Sequence, residues 1–360
     1  MRFLKLDEKL QNHQLFYVLC CAVVYLVIQL LVCFGVLNNY IEQVIMLACV
    51  NVMVTVSLNL VNGYTGLYSL GQAGFMAVGA YASATLTTLV FNTASWPTYL
   101  SIPFFFLSLL IGGAAAALVG YLIGLPTLRI KGDYLAIVTL AAGEIIRATL
   151  NLIPYTGAAR GMINIPRYAS LPIVFGWMFL CIFIIRNYTR SAYGRAAVAI
   201  RDNEIAASTM GISLLKYKTL SFVIAAFFSG VAGGLFAHIT MFINPEQFKS
   251  TKSTDFLVFL YAGGTGSISG SILGAGVLTI FQEVLRVLQD WRLVIYAALL
   301  VIIMIKRENG IYGGKEFRFL RVNNYLVHNK VPVDIHNAPK ENPLFRWVTS
   351  KIRNTKNSKD

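Results

Sequence analysis

Glu144 and Arg147, in "AAGEIIRATL", are the residues whose types and spacing could do chemistry within an otherwise apolar run. Three positions apart on a helix, they share a face and can pair, which lowers the cost of holding charge at depth in a membrane. The pair reads either as an internal structural ion pair or as a polar contact on a solute path. His238 stands alone in an apolar stretch and reads as a packed side chain rather than a ligand. The five cysteines, Cys20, Cys21, Cys33, Cys49 and Cys181, lie in apolar runs with no CxxC spacing, so neither a metal site nor a disulfide frame is expected. An enzyme needs several such groups converging on one substrate. This sequence carries no HExxH, GxSxG or phosphate-binding loop and no pair of buried acids. A proton-driven carrier would be expected to keep an unpaired acid in mid-span, and little of that kind is present, so energy for any active transport must come from elsewhere.

The elements that must position these residues are membrane spans. Of the 360 residues, 56% are hydrophobic and 13% charged, against about a quarter charged in soluble domains. Apolar runs near the roughly 20 residues needed to cross a bilayer recur from about residue 15 to residue 306. The expected fold is an all-α polytopic membrane protein with 8–10 transmembrane helices, some short or interrupted by Gly-rich segments. Spans are expected near 15–37, 41–60, 72–91, 99–124, 133–151, 171–186, 218–242, 254–264, 268–288 and 291–306, the first being retained rather than cleaved. Residues 1–14 form the N-terminus, 15–306 the permease domain, and 307–360 a basic tail along the membrane lipid or disordered. The net charge of +14 sits in particular loops and in the tail rather than along an aromatic-laced face, which argues against nucleic acid. With the spans alternating, most Lys and Arg fall on the side of both termini, which places that side in the cytoplasm. Arg160 and Arg167 run against this pattern.

Two Gly-rich stretches break the helical pattern, "NGYTGLYSLGQAGFMAVGAY" at 62–81 and "AGGTGSISGSILGAG" at 262–276. At an offset of 200 they agree at Gly63/Gly263, Thr65/Thr265, Gly66/Gly266, Ser69/Ser269 and Gly74/Gly274. Non-helical backbone cannot face lipid, so such breaks are buried in protein or line a wet cavity. Matching breaks in two halves point to a translocation path, here Gly63, Thr65, Gly66, Ser69, Gly71, Gly263, Gly264 and Gly266, with Glu144 and Arg147. The alternative is tight helix packing through small residues, the reading given to "GGAAAALVGYLIG" at 112–124.

Between spans, at 187–217, the chain becomes polar. "SAYGRAAVAI" can form a short helix, Asp202 can cap a second one beginning "NEIAASTM" with Glu204 in its first turn, and Gly211 suits its C-terminal stop. Such a helix pair is either a rigid knob for another protein's groove or a solvated connecting loop.

At these residues the chain resembles the M-type permease subunit of bacterial branched-chain amino acid ABC importers. The resemblance rests on "NLVNGYTGLYSLGQAGFMAVGAYA", "RIKGDYLAIVTLAAGEIIR", "GRAAVAIRDNEIAASTMGIS", "FVIAAFFSGVAGGLFA", "AGGTGSISGSILGA" and "IKRENGIYGG", which occur in the family's order over about residues 50–315. It implies a multi-pass protein of the bacterial plasma membrane in which the helix pair couples to an ATPase, with Gly194, Arg195, Arg201, Asp202, Asn203, Glu204, Ala206, Ala207 and Gly211 as coupling residues. The general importer pattern Glu-Ala-Ala, three residues, Gly is met in part: Ala206, Ala207 and Gly211 fit, while Ile205 occupies the Glu position and Glu204 stands one place early. The implied partners are two ATP-binding cassette subunits, a second related permease and an extracellular solute-binding protein. ATP and Mg would be bound by the ATPase subunits, and no cofactor or metal is expected in this chain. A permease for urea or another small polar solute, and a stand-alone carrier or channel, are the alternatives.

Overall fold

A computed structural model describes residues 38–90, 98–128 and 134–288, together with 291, 295, 298 and 310. The expected spans at 15–37 and 291–306, and the terminal segments 1–14 and 307–360, lie outside these or are reached only at single positions. Ten helices are formed among the described residues, numbered here α1 Asn39–Asn59, α2 Gln72–Thr85, α3 Thr98–Thr127, α4 Tyr134–Leu152, α5 Leu171–Arg190, α6 Ala192–Asp202, α7 Glu204–Thr209, α8 Leu214–Thr240, α9 Ser250–Gly263 and α10 Ile268–Val284. Six of them, α1 to α5 and α8, are long and apolar enough to cross a membrane. The protein is a multi-pass helical membrane protein.

The packing order follows from where the apolar residues sit. From Val50 to Asn59, α1 is buried on every side, as expected of a helix that is apolar all round. It forms the centre, with α5, α8, α9 and α10 packed against it. A second group, α2, α3 and α8, is drawn together by small residues. An added Cβ at Gly79 would overlap the backbone of Gly230, and one at Gly233 would overlap the carbonyl of Met76. The stretch 112–124 is packing of the same kind, since a Cβ at Gly112 would lie 2.8 Å from the Gly79 carbonyl oxygen. At the edge stands α4, most of which is exposed, whereas α1 is mostly buried.

The span expected at 254–264 begins earlier, at Ser250, and stops at Gly263 after 14 residues, short of the roughly 20 that a crossing requires. Its partner α10 has 17 residues and is capped by Ser267, whose hydroxyl accepts from the Gly270 N–H. The first Gly-rich break begins as a π-helical turn, Leu60–Tyr64, and continues without helix to Gly71. His238 is fully buried, with Nδ1 2.8 Å from the Pro166 carbonyl oxygen and Nε2 3.4 Å from the Ser83 hydroxyl, as a packed histidine would be.

Candidate coupling site and helix breaks

The helix pair α6–α7 leaves the end of α5 and returns into α8. Ser191 opens α6, its hydroxyl accepting from the Gly194 N–H. Gly194 is needed there because a Cβ would run into the backbone of Thr189. Arg195 folds back so that its guanidinium donates to the Arg190 carbonyl at 2.9 Å.

The cap of α7 is Asn203, one residue later than expected. Asn203 holds extended backbone (φ −159°, ψ 107°), and its side-chain oxygen accepts from the N–H groups of Ile205 and Ala206, each at 3.0 Å. Asp202 is instead the last residue of α6, its carboxylate taken by the Nε and Nη2 of Arg201 at 3.0 and 2.9 Å. Glu204 is in the first turn of α7, where the helix dipole favours it, and pairs with Lys218 at the base of α8. At the other end the Gly211 N–H donates to Ser208 and the Ile212 N–H to Ala207, a Schellman closure with Gly211 in the left-handed region (φ +82°).

The side chains of α7 divide by face. Ala207 is 4% exposed and turned into its own protein, while Ile205 and Met210 are 77% and 82% exposed. Ala206 and Ser208 share the outward face. Ile205 on this short capped helix and Met210 just after it are thus left largely without contacts in their own chain and are free to meet a partner. Sequence reasoning met Ile205 only as a departure from the Glu position of the family pattern and passed over Met210, which falls among that pattern's unspecified residues. It also missed Lys218 and Arg186, cations buried at this end of the bundle, which look like ordinary span-end charges when read linearly.

The two Gly-rich breaks meet here as well. Asn59, fully buried, accepts the Gly266 N–H at 2.9 Å and donates to the Ser267 carbonyl at 2.9 Å, so one side chain ties the end of α1 to the link between α9 and α10. A Cβ at Gly63 would lie 2.5 Å from the Gly266 nitrogen. Gly66 and Gly266, matched at the offset of 200, share the same left-handed backbone, φ +70° and +74°. Thr65 donates to the Val61 carbonyl. The Ser69 N–H donates to the Asn62 side chain at 3.2 Å, and Gly71 leaves no room for a Cβ beside the Thr139 carbonyl oxygen, 2.9 Å away. Gly263 packs backbone to backbone on Gly270 and Gly274, and Gly264, at φ +117°, ends α9. Replacing Asn59 by Ala leaves the Gly266 N–H without its partner, while the Ser267 carbonyl keeps the Ser271 N–H and hydroxyl. The expected cost is about 1–3 kcal/mol, read as a lowered unfolding midpoint of the purified chain in detergent.

Glu144 and Arg147 are not part of this cluster. They pair with each other at 2.7 Å on α4, where Arg147 also reaches Glu246 at 2.6 Å and Glu144 accepts the Ser250 N–H at 2.8 Å. Glu246 lies in the turn Pro245–Phe248, outside the spans, and Lys249 followed by Arg147 holds its carboxyl below the usual range. This network joins α4 to the end of the bundle where segment 241–248 meets segment 153–166 through the Met162 and Ile243 backbones. One expected path residue set therefore occupies two places in the fold.

Among the described residues no group of His, Cys, Asp or Glu is arranged to hold a metal. Spans, buried backbone breaks and a projecting polar helix pair together fit the class of membrane transport permeases. Residues 40–304 match the family described as branched-chain amino acid transport system / permease component, and the chain belongs to that family. It is 33% identical over 300 positions to the Escherichia coli K12 high-affinity branched-chain amino acid transport system permease protein LivM, covering 74% of this chain and 68% of that one. The LivM protein of Salmonella typhimurium LT2 is 32% identical over 72% of this chain and 67% of its own length. A shorter likeness, 30% over 38% of this chain and 46% of the other, relates it to the E. coli permease protein LivH. No solved structure matches the chain.

Proposed function

We propose that this chain is a permease subunit of an ATP-driven importer of branched-chain amino acids in a bacterial plasma membrane, and that α6–α7 is where an ATPase subunit docks. The exposed pair Ile205 and Met210 on capped α7 carries this reading. A solvated connecting loop has no reason to hold two large apolar side chains outward while its own cap, ion pair and glycine closure keep them there. The relatives' printed names supply the solute class. With α6–α7 in the cytoplasm, both termini lie on that side, in keeping with the basic residues of the loops and tail.

The partners are two ATP-binding cassette subunits, which would bind ATP and Mg, a second related permease, and an extracellular solute-binding protein. The outward stripe of α4, Tyr134, Ile137, Ile145 and Leu152, 63–80% exposed, is apolar as contact with membrane lipid requires. The mechanical work of this chain is to turn closure of the ATPase pair into alternating access, by way of two states that nucleotide and solute bind unequally.

The test is purification from the native membrane in mild detergent. An ATPase is expected to co-purify with the chain and to be lost from an Ile205→Asp, Met210→Asp double variant that still inserts. A chain that purifies alone and moves solute in liposomes without ATP would replace this reading with the stand-alone carrier suggested by the paired breaks. A complex that takes up urea and not leucine would retain the importer and change its solute.

A further inference from the structure

We propose that Arg201 is a positioning residue that transmits movement of the docked helix pair to both Gly-rich breaks at once. The proposal rests on the coupling reading of α6–α7 and assigns Arg201 an inward role in place of a contact with the ATPase.

The guanidinium is divided between two tasks. Its Nε and Nη2 grip the carboxylate of Asp202, which fixes its plane, and its Nη1 donates to the Gly63 carbonyl oxygen at 3.0 Å. Gly63 lies in the π-turn that ends α1, where carbonyls lack helical partners and the helix dipole favours a cation. Arg201 thus caps a span 138 residues away in sequence, with a charge-assisted bond. The same side chain lies on both breaks. A Cβ at Gly66 would fall 2.7 Å from its Cγ, and one at Gly266 would fall 3.4 Å from its Nη1. The breaks are joined to each other by Asn59.

The geometry gives the contact a direction. Ala196, Ala197 and Ile200 bury the inner face of α6, so the helix moves as a unit with its surroundings. Displacement of α6 by a docked ATPase carries Arg201 along, and the Gly63 carbonyl and the Gly266 turn must follow or lose their contacts. Both breaks consist of backbone outside regular helix, which changes dihedral angles more readily than the spans they interrupt. One side chain therefore acts on the end of α1 and on the α9–α10 link together.

The test uses the assembled importer in nanodiscs, with hydrogen exchange followed at the amides of 63–68, 264–267 and 205–206, with and without the non-hydrolysable ATP analogue adenylyl imidodiphosphate. In the parent complex all three segments are expected to change exchange on nucleotide binding. In Arg201→Ala the α7 amides should still respond and the ATPase should remain bound, while the two breaks lose their response and solute uptake falls at least tenfold. Arg201→Lys, which keeps one donor to Gly63 but not the fork to Asp202, should recover part of both. Asp202→Asn, which leaves Arg201 in place and loosens its grip, should give an intermediate loss and serves if Arg201→Ala does not assemble. Breaks that respond to nucleotide as strongly in the variants as in the parent overturn the proposal. Absence of any response at 205–206 in the parent overturns the coupling reading itself.

Discussion

A Gly233→Leu chain is expected to be nearly absent from the membrane fraction. A side chain at 233 meets backbone rather than another side chain, because its Cβ would overlap the Met76 carbonyl and lie 3.0 Å from the Ala80 nitrogen. Side-chain crowding can be relieved by a change of rotamer, whereas here α2 and α8 must move apart as rigid bodies. That separation also opens the contact at Gly79 and Gly230 and the flank where Gly112 lies against α2. Overpacking of a core ordinarily costs about 1–3 kcal/mol. Backbone overlap at the crossing of three helices should cost about 3–5 kcal/mol, a large part of the 5–15 kcal/mol that typically separates folded from unfolded protein. Gly176→Leu is the matched control, since that position is exposed and a Cβ there meets nothing within 4 Å, and it should accumulate normally. Equal abundance of the two variants in isolated membranes would show that the crossing tolerates separation and that the small residues are incidental.

The second large effect is on function without loss of the fold. Gly211→Pro should leave the chain inserted and stable but abolish solute uptake by the assembled importer. Proline holds φ near −65° and has no N–H, whereas Gly211 sits at φ +82° and donates to Ser208 at 3.0 Å. The Schellman closure is lost, and α7 has only six residues, too few to remain helical without its caps. Ile205 and Met210 then lose their fixed presentation. The spans are unaffected, because a Cβ at 211 meets nothing within 4 Å. For the same reason Gly211→Ala carries only the conformational penalty, about 1 kcal/mol, and should retain most uptake. A Pro variant with normal uptake and normal solute-stimulated ATPase activity would remove α7 from the coupling role. Bulky substitution at Ala207 tests something else, since that side chain points into its own protein and a larger one would lift α7 from its seat.

Much of the span framework was legible in the sequence because the bilayer imposes a length and a composition on every crossing, and apolar runs report both. The same holds for the helix pair at 192–209, where a polar stretch between spans, a glycine stop and an acidic first turn are local signals. The cap was misplaced by one residue for an equally local reason. Asp202 and Asn203 are both good caps, but Asp202 is still in the last turn of α6, and it is Asn203, in extended backbone, that opens α7.

The offset of 200 matches Gly63 with Gly263 and Gly66 with Gly266, yet nothing in a linear pattern says that Gly63 touches Gly266 or that Asn59 joins the two breaks. Which face of α7 looks outward was also decided by packing: Ala206 and Ala207 are alike in sequence, and only the seat of α7 against the bundle makes one exposed and the other buried. The same holds for Glu144 and Arg147, where helical spacing predicted the pair but not Glu246, the third charge that places it away from the glycine breaks. By itself the sequence determined the membrane class, the helical spans and the existence of two breaks, since these depend on composition and local spacing against a solvent of fixed thickness. Only the tertiary structure decided which breaks meet, what holds them and which side chains are left for a partner, since those depend on contacts between segments more than 200 residues apart.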